Sequence, residues 1–142
     1  MSDIEKFFVG IKAVIIQNNK ILLVRTNAGG GRGDRWEMPG GRIEQNQTIS
    51  QTLNRELTEE LPNITNIQIH EILHADRLPG KIIDDVGLVL VYYRVSADFQ
   101  GDPQLSDEHI DWQWADQKTA SNLSEANQQQ AIKQAFFRYA ER

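Results

Sequence analysis

The alternation of apolar periodicity along the chain constrains its fold more than any other feature. Phe8 to Ile16 is rich in β-branched residues and reads as a strand. Gln17-Asn18-Asn19-Lys20 carries a turn signal, and Ile21 to Arg25 reads as a second strand, so the pair is expected to form a hairpin. A Gly-rich loop, Thr26 to Arg35, leads into a short extended piece, Trp36 to Met38, after which Pro39-Gly40-Gly41 must turn. The period then becomes helical over Thr48 to Leu61, with Thr48 and Gln51 in capping-box spacing and Pro62 as the stop. Ile67 to Ala75, Val86 to Ala97 and Ile110 to Ala115 return to extended patterns. Ser124 to Ala140 closes the chain as a helix, with Ile132, Ala135, Phe136 and Tyr139 on one face. Strands before, between and after two helices predict an α/β fold in which a mixed sheet is covered by helices.

The 142 residues are expected to form one domain, residues 1–142, long enough to bury a core without staples. There is no cysteine, which excludes disulfides, thiolate zinc sites and cysteine nucleophiles. The opening MSDIEKFF lacks the basic-then-apolar pattern of a signal peptide. The longest apolar run, around Val86 to Tyr93, is too short to cross a membrane. A cytoplasmic protein with no membrane partner is the expectation. The net charge is -5 and no basic stripe is visible, which argues against a nucleic-acid polymer as partner. An acidic protein still binds a small anion when a divalent cation sits between the two.

Projected at about 100° per residue, Ile49, Leu53, Leu57 and Leu61 form the apolar stripe of the first helix. Glu56, Glu59 and Glu60 fall within an arc of about 100° that overlaps one edge of this stripe, with Glu60 projecting between Ile49 and Leu53. A solvated acidic face would lie opposite the stripe. Carboxylates at i, i+3 and i+4 repel one another. These three also occupy the last two turns, where the helix dipole disfavours negative charge. Something positive must offset this. Arg55 is adjacent, but its projection flanks Glu59 only. A hard divalent cation with oxygen ligands answers the pattern better.

The segment GRIEQNQTISQTLNRELTEELPN, Gly41 to Asn63, resembles the signature of the Nudix hydrolase family, G-x5-E-x7-R-E-U-x-E-E-x-G-U, where U is a bulky apolar residue. Gly41, Arg55, Glu56, Leu57, Glu59 and Glu60 match in type and spacing. The preceding WEMPGG, Trp36 to Gly41, is similar to the strand and turn that lead into that motif. The order of the remaining elements agrees with the family's α/β/α sandwich. Three positions depart: Gln47 stands where the family has Glu, Pro62 where it has Gly, and Asn63 at the final apolar position, which Ile64 can fill after a one-residue shift. The resemblance implies a magnesium or manganese site with Glu56, Glu59 and Glu60 as ligands and the Gly40 carbonyl as a further ligand. It implies that Glu56 or Glu59 orients the attacking water and that Arg55 holds the glutamates in place. The implied reaction is hydrolysis of a phosphoanhydride, in which a divalent ion supplies charge neutralisation, acidified water and alignment.

Further stretches carry candidate residues. The stretch SDEH, Ser106 to His109, precedes the strand IDWQW. Several Nudix enzymes carry a glutamate at about this place as an extra ligand or general base, which makes Glu108 the candidate; the alternative is a solvated loop residue. The stretch HEILH, His70 to His74, matches the zinc-protease pattern H-E-x-x-H. That pattern needs a helix, whereas Ile67, Ile69 and Leu73 are spaced for a strand. At about 3.3 Å per residue the two histidines lie roughly 13 Å apart, too far to share a zinc bound at about 2 Å. The stretch AGGGRGDR, Ala28 to Arg35, lacks the Lys-Ser/Thr pair of a P-loop and does not fit G-x-G-x-x-G. It reads as a mobile loop beside the active site, from which Arg32 or Arg35 can reach substrate phosphate. Trp36 is a base-stacking residue or a core residue, and Trp112 and Trp114 are sheet packing.

The expected function is therefore magnesium- or manganese-dependent hydrolysis of a nucleoside di- or triphosphate derivative, a small-molecule partner. ADP-ribose-like and triphosphate substrates both stay open. Pro79, 16 residues after Asn63, stands near where ADP-ribose hydrolases of the family carry a proline. A nucleotide-binding module without turnover is the non-enzyme alternative, supported by Gln47 alone. An isoprenoid diphosphate isomerase is disfavoured, because such members carry a catalytic cysteine. Self-association into a homodimer is left open.

Overall fold

The computed structural model describes residues 3–27 and 33–139. Its first turn follows from two asparagines. Asn18 and Asn19 take positive φ of 50° and 61°, the type I′ geometry whose twist matches that of the strands it joins. The strands on either side are β1 (Phe7–Gln17) and β2 (Lys20–Thr26). They pair only near this turn, through Ile16 with Ile21 and Gln17 with Lys20. Beyond it they splay. β1 continues antiparallel with β4 (Gly40–Arg42) and parallel with β6 (Gly87–Phe99). β2 continues antiparallel with β3 (Trp36–Glu37) and β7 (His109–Ala115). The long strand β5 (Ile64–Arg77) adds to the outer side of β6.

Both faces of this mixed sheet are covered. On one face Ile11, Ala13 and Ile15 of β1 and Val95 of β6 pack with Leu53, Leu57 and Leu61 of helix α1 (Ile49–Glu60). On the other, Val14 of β1 and Leu90 and Tyr92 of β6 pack with Ile132, Ala135 and Phe136 of helix α3 (Gln129–Tyr139). Strands buried on both sides need apolar residues at successive positions, which explains the near-continuous run in β1. The result is the α/β/α sandwich. Among the described residues no helix is long and apolar enough to cross a membrane.

The expected N-terminus of α1 is present in full: the Thr48 hydroxyl accepts from Gln51 N–H at 3.1 Å, and the Gln51 side chain accepts from Thr48 N–H at 2.9 Å. Three local expectations change. A short helix α2 (Gln117–Leu123) follows β7, and α3 begins five residues later than Ser124, after a 3-10 turn at Ala126–Gln128. Only Ala120 of α2 is buried, so no apolar period advertises it; its marker is Asp116, which accepts from Thr119 N–H at 2.8 Å. Pro39-Gly40-Gly41 is less a turn than the entry to β4, since Gly40 and Gly41 pair with Lys12 and Ile11. Finally, β5 starts at Ile64 and changes register with β6 more than once. Its Ile67 and Ile69 face α1 while Leu73 faces α3. The even spacing of these three residues therefore does not place them on one face, because bulges turn the strand between them.

Two contacts fix the course of β3 and β4. The buried Gln128 side chain accepts from Met38 N–H at 3.2 Å and donates to the Trp36 carbonyl at 3.2 Å. It completes the hydrogen bonding of β3 as a neighbouring strand would. Gly40 has φ of 149°, and a side chain there would overlap the Ile11 carbonyl oxygen. Gly40→Ala is therefore expected to lower stability by about 2 kcal/mol or more, measured as a shifted urea midpoint.

Candidate active site

The end of α1, the strand β4 and the start of β7 meet at a group of carboxylates. Oxygens of Glu56, Glu60 and Glu108 lie within 4.8 Å of one another. Glu60 projects from the edge of the apolar stripe and is 1% exposed. Its Oε2 accepts the Gly40 N–H at 2.9 Å. Burial, reinforced by Glu56 and Glu37, pushes its carboxyl from the ordinary 4.5 up to about 8, against the opposing pull of Lys12 and the Gly40 N–H. Glu56 is also raised, by burial first and then by Glu59 and Glu108, with Arg55 opposing. Two raised acids beside a third carboxylate mark a site short of positive charge. The donors are hard oxygens, so the residues fit magnesium or manganese, and Glu56, Glu60 and Glu108 could hold such an ion.

Glu59 stands apart from this triad. Its side chain is exposed, and its Oε2 lies 3.4 Å from Arg55 Nη1. The same nitrogen is 3.1 Å from Glu56 Oε1. The helical projection placed Arg55 beside Glu59 only; the long side chain also folds back onto its neighbour. Arg55 Nη2 donates to Gln47 Oε1 at 3.3 Å and lies 3.7 Å from Glu44 Oε1. Gln47 thus keeps the arginine through its amide oxygen. Glu44, which the sequence did not single out, supplies a carboxylate nearby.

Behind the triad lies a buried chain of ionisable groups that sequence reading missed. Glu37 of β3 has one oxygen 3.5 Å from Lys12 Nζ and the other 3.2 Å from His109 Nε2. That same Nε2 lies 3.6 Å from Glu60 Oε1. The available signals were weak ones: Glu37 sits inside WEMPGG, and His109 directly follows Glu108.

On the α3 face, Lys12 and Glu37 also line a cavity of about 490 Å³. Arg35 and Asn127 supply further polar lining, and Leu90 and Tyr92 part of the apolar wall. Arg35 Nη1 is 3.6 Å from Glu125 Oε2, and its buried Nε has no hydrogen-bond partner. Asn127 Oδ1 is likewise buried without one. Gly41 belongs to the cavity lining, and a side chain there would strike the Glu56 carboxylate. Cavity and triad therefore meet at this residue.

The remaining candidates fall elsewhere. Arg32 lies outside the described residues. Trp36 is half-buried against the core on the α3 side and does not line the cavity. His70 bonds the Ser96 hydroxyl at 2.8 Å, and His74 stacks on Tyr92 with ring centroids 6.4 Å apart. Among the described residues the two histidines belong to no common group of potential metal ligands.

These features are those of a known class. The NUDIX domain family model matches residues 6–136, and the chain belongs to that family. It is 33% identical over 73 residues to a CTP pyrophosphohydrolase of Escherichia coli (strain K12), covering 51% of this chain and 54% of that one. It is 30% identical over 103 residues to an oxidized purine nucleoside triphosphate hydrolase of Danio rerio, covering 72% and 62%. The chain thus spans about half to three-fifths of the length of these two relatives. The solution structure of the E. coli ORF135 protein superposes with a TM-score of 0.74 at 25% identity over 96% of each chain. The crystal structure of a MutT protein from Methanosarcina mazei Go1 does so at 0.79 and 16% identity over 99% and 100%.

Glu60 generates a pH-dependent expectation for the ion-free protein. A group raised from 4.5 to about 8 by folding contributes stability that is complete below 4.5 and is lost as the pH rises through about 8. Glu60→Gln removes that slope. The ion-free variant should melt with the native protein at pH 5, melt higher than it above pH 8, and lose magnesium-dependent activity. A variant that melts lower at pH 8 would make Glu60 a structural residue. The bonds around Arg55 generate a second expectation. A charge-assisted bond exceeds a neutral one by about 1 kcal/mol, and about 1.4 kcal/mol is one decade in rate. Gln47→Glu should therefore raise kcat by no more than about tenfold. Robust turnover in that variant from a native protein with none would establish the native chain as a binding module.

Proposed function

We propose that the protein is a magnesium- or manganese-dependent pyrophosphohydrolase of nucleoside triphosphates. One observation carries this reading: the cavity and the carboxylate triad meet at Gly41. A nucleoside seated on the α3 face directs its phosphates across Gly41 to Glu56, Glu60 and Glu108. Tyr92 and Leu90 offer an apolar wall for the base, and Asn127 adds a polar residue to the same lining. Arg35 lines the same cavity, and its guanidinium bonds substrate oxygens.

Glu56, Glu60 and Glu108 would hold the ion, which when bound would supply positive charge against the phosphate oxygens and acidify water. Gly40 N–H fixes the direction of the Glu60 carboxylate, and Arg55 fixes Glu56. Glu108 is exposed at the rim, and in this reading it takes the proton of the attacking water. Water attack on the α–β phosphoanhydride breaks that bond and yields a nucleoside monophosphate and pyrophosphate. The names of the relatives differ in the base and agree on the triphosphate, which supports a triphosphate over an ADP-ribose-like substrate.

A panel of CTP, UTP, dGTP, 8-oxo-dGTP, ATP and ADP-ribose tests this reading. Pyrophosphate should appear from at least one triphosphate with magnesium and vanish with chelator. Hydrolysis of ADP-ribose alone would replace the triphosphate assignment, and undiminished turnover in chelator would remove the ion from the mechanism. Glu108→Gln should lower kcat by about 10² or more, as for a lost general base; a change below about threefold would return Glu108 to the solvated rim.

A further inference from the structure

We infer that His109 is a positioning residue for the metal centre, keeping the Glu60 carboxylate in place through an Nε2 donor that bonds Glu37 and lies beside Glu60. The inference rests on the assignment of Glu60 as a metal ligand. Strand alternation at the start of β7 separates neighbours in sequence. Glu108 reaches the exposed rim of the triad, while the side chain of His109 turns fully inward. Its Nε2 faces the Glu37 carboxylate at 3.2 Å, so this nitrogen carries the hydrogen. The same nitrogen lies 3.6 Å from Glu60 Oε1, beside that carboxylate.

The ring is not explained by ordinary core packing. Its Nδ1 is buried without a hydrogen-bond partner, whereas a histidine kept for structure normally has both nitrogens bonded. What the ring does provide is a donor between two buried carboxylates. Gly40 N–H holds only Oε2 of Glu60. Lys12 lies on the far oxygen of Glu37, the one turned away from His109. Without the imidazole, the N–H that lies 3.2 Å from Glu37 Oε1 and 3.6 Å from Glu60 Oε1 is lost from between the two carboxylates. Glu60 would then turn off its present direction, and the triad would lose one aligned oxygen.

The test is Mn2+ binding to the nucleotide-free protein, followed by electron paramagnetic resonance of the free ion, with thermal melts as the control for folding. His109→Phe keeps the ring volume and removes the donor. His109→Gln reaches far enough to restore an N–H near Nε2. His109→Asn places its N–H near Nδ1 instead. Binding should weaken at least tenfold in the Phe and Asn variants and stay within threefold of native in Gln. With nucleotide, kcat should fall in Phe and Asn while KM stays within threefold. Native affinity in a folded Phe variant would overturn the inference, and so would equal affinity in Gln and Asn, a comparison that stands even where Phe does not fold. Absence of Mn2+ binding by the native protein would instead overturn the metal reading on which the inference rests.

Discussion

A buried carboxylate organises this molecule. Glu60 is almost fully enclosed, and an acid so placed is costly unless donors meet it. Its firm donor is a single backbone N–H, that of Gly40. That bond ties the last turn of α1 to β4, and through β4 to β1. It can form only because Gly40 has no side chain to strike the Ile11 carbonyl. The Thr48 cap, the Leu53–Leu57–Leu61 stripe and the double glycine all bear on the position of this one oxygen pair. One donor does not satisfy it. The high pKa of Glu60 and the raised one of Glu56 express the remainder as an unfavourable charge balance, which a divalent cation would relieve.

The two-sided burial of the sheet then sets the relation between charge and cavity. α1 lies over one face and α3 over the other. The carboxylates come from the α1 side, and the cavity opens on the α3 side. Residues 37–42 run between the two, with Gly41 in the cavity lining and against the Glu56 carboxylate. Gln128 and Tyr92 brace that partition from the α3 side: Gln128 bonds the backbone on either side of Glu37, and the Tyr92 hydroxyl donates to the Asn127 carbonyl at 3.1 Å. The geometry of the carboxylate site and the packing of α3 are therefore not independent. A change at the base of the cavity acts on the same short segment that presents Gly40 to Glu60.

Much of this was legible in the order of residues alone. Helical periodicity displayed the glutamates on the edge of a stripe, which is where Glu56 and Glu60 converge with Glu108. Asn18-Asn19 announced the hairpin, and the strand spacing of His70 and His74 argued against a shared zinc. Other features had no such signal. α2 buries one residue and is defined by its caps, so periodicity is silent about it. The bulges of β5 depend on its pairing with β6, and they reverse which face Leu73 serves. Arg55 reaches Glu56 because a long side chain is not bound to its angle on a helical wheel.

The division has one physical cause. Properties carried by neighbours along the chain, such as helix phase, cap chemistry, turn conformation and the number of carboxylates on one turn, are dictated by local sterics and hydrogen bonding. They gave the α/β architecture and the acidic cluster on α1. Lys12, Glu37, Asn127 and His109 belong to separate elements, and the Glu37–His109 bond alone closes a separation of 72 residues. No local rule distinguishes these side chains from solvated ones. Only the packing of both helices onto the sheet brought them together, because burial makes an ionised group seek a partner wherever along the chain that partner lies.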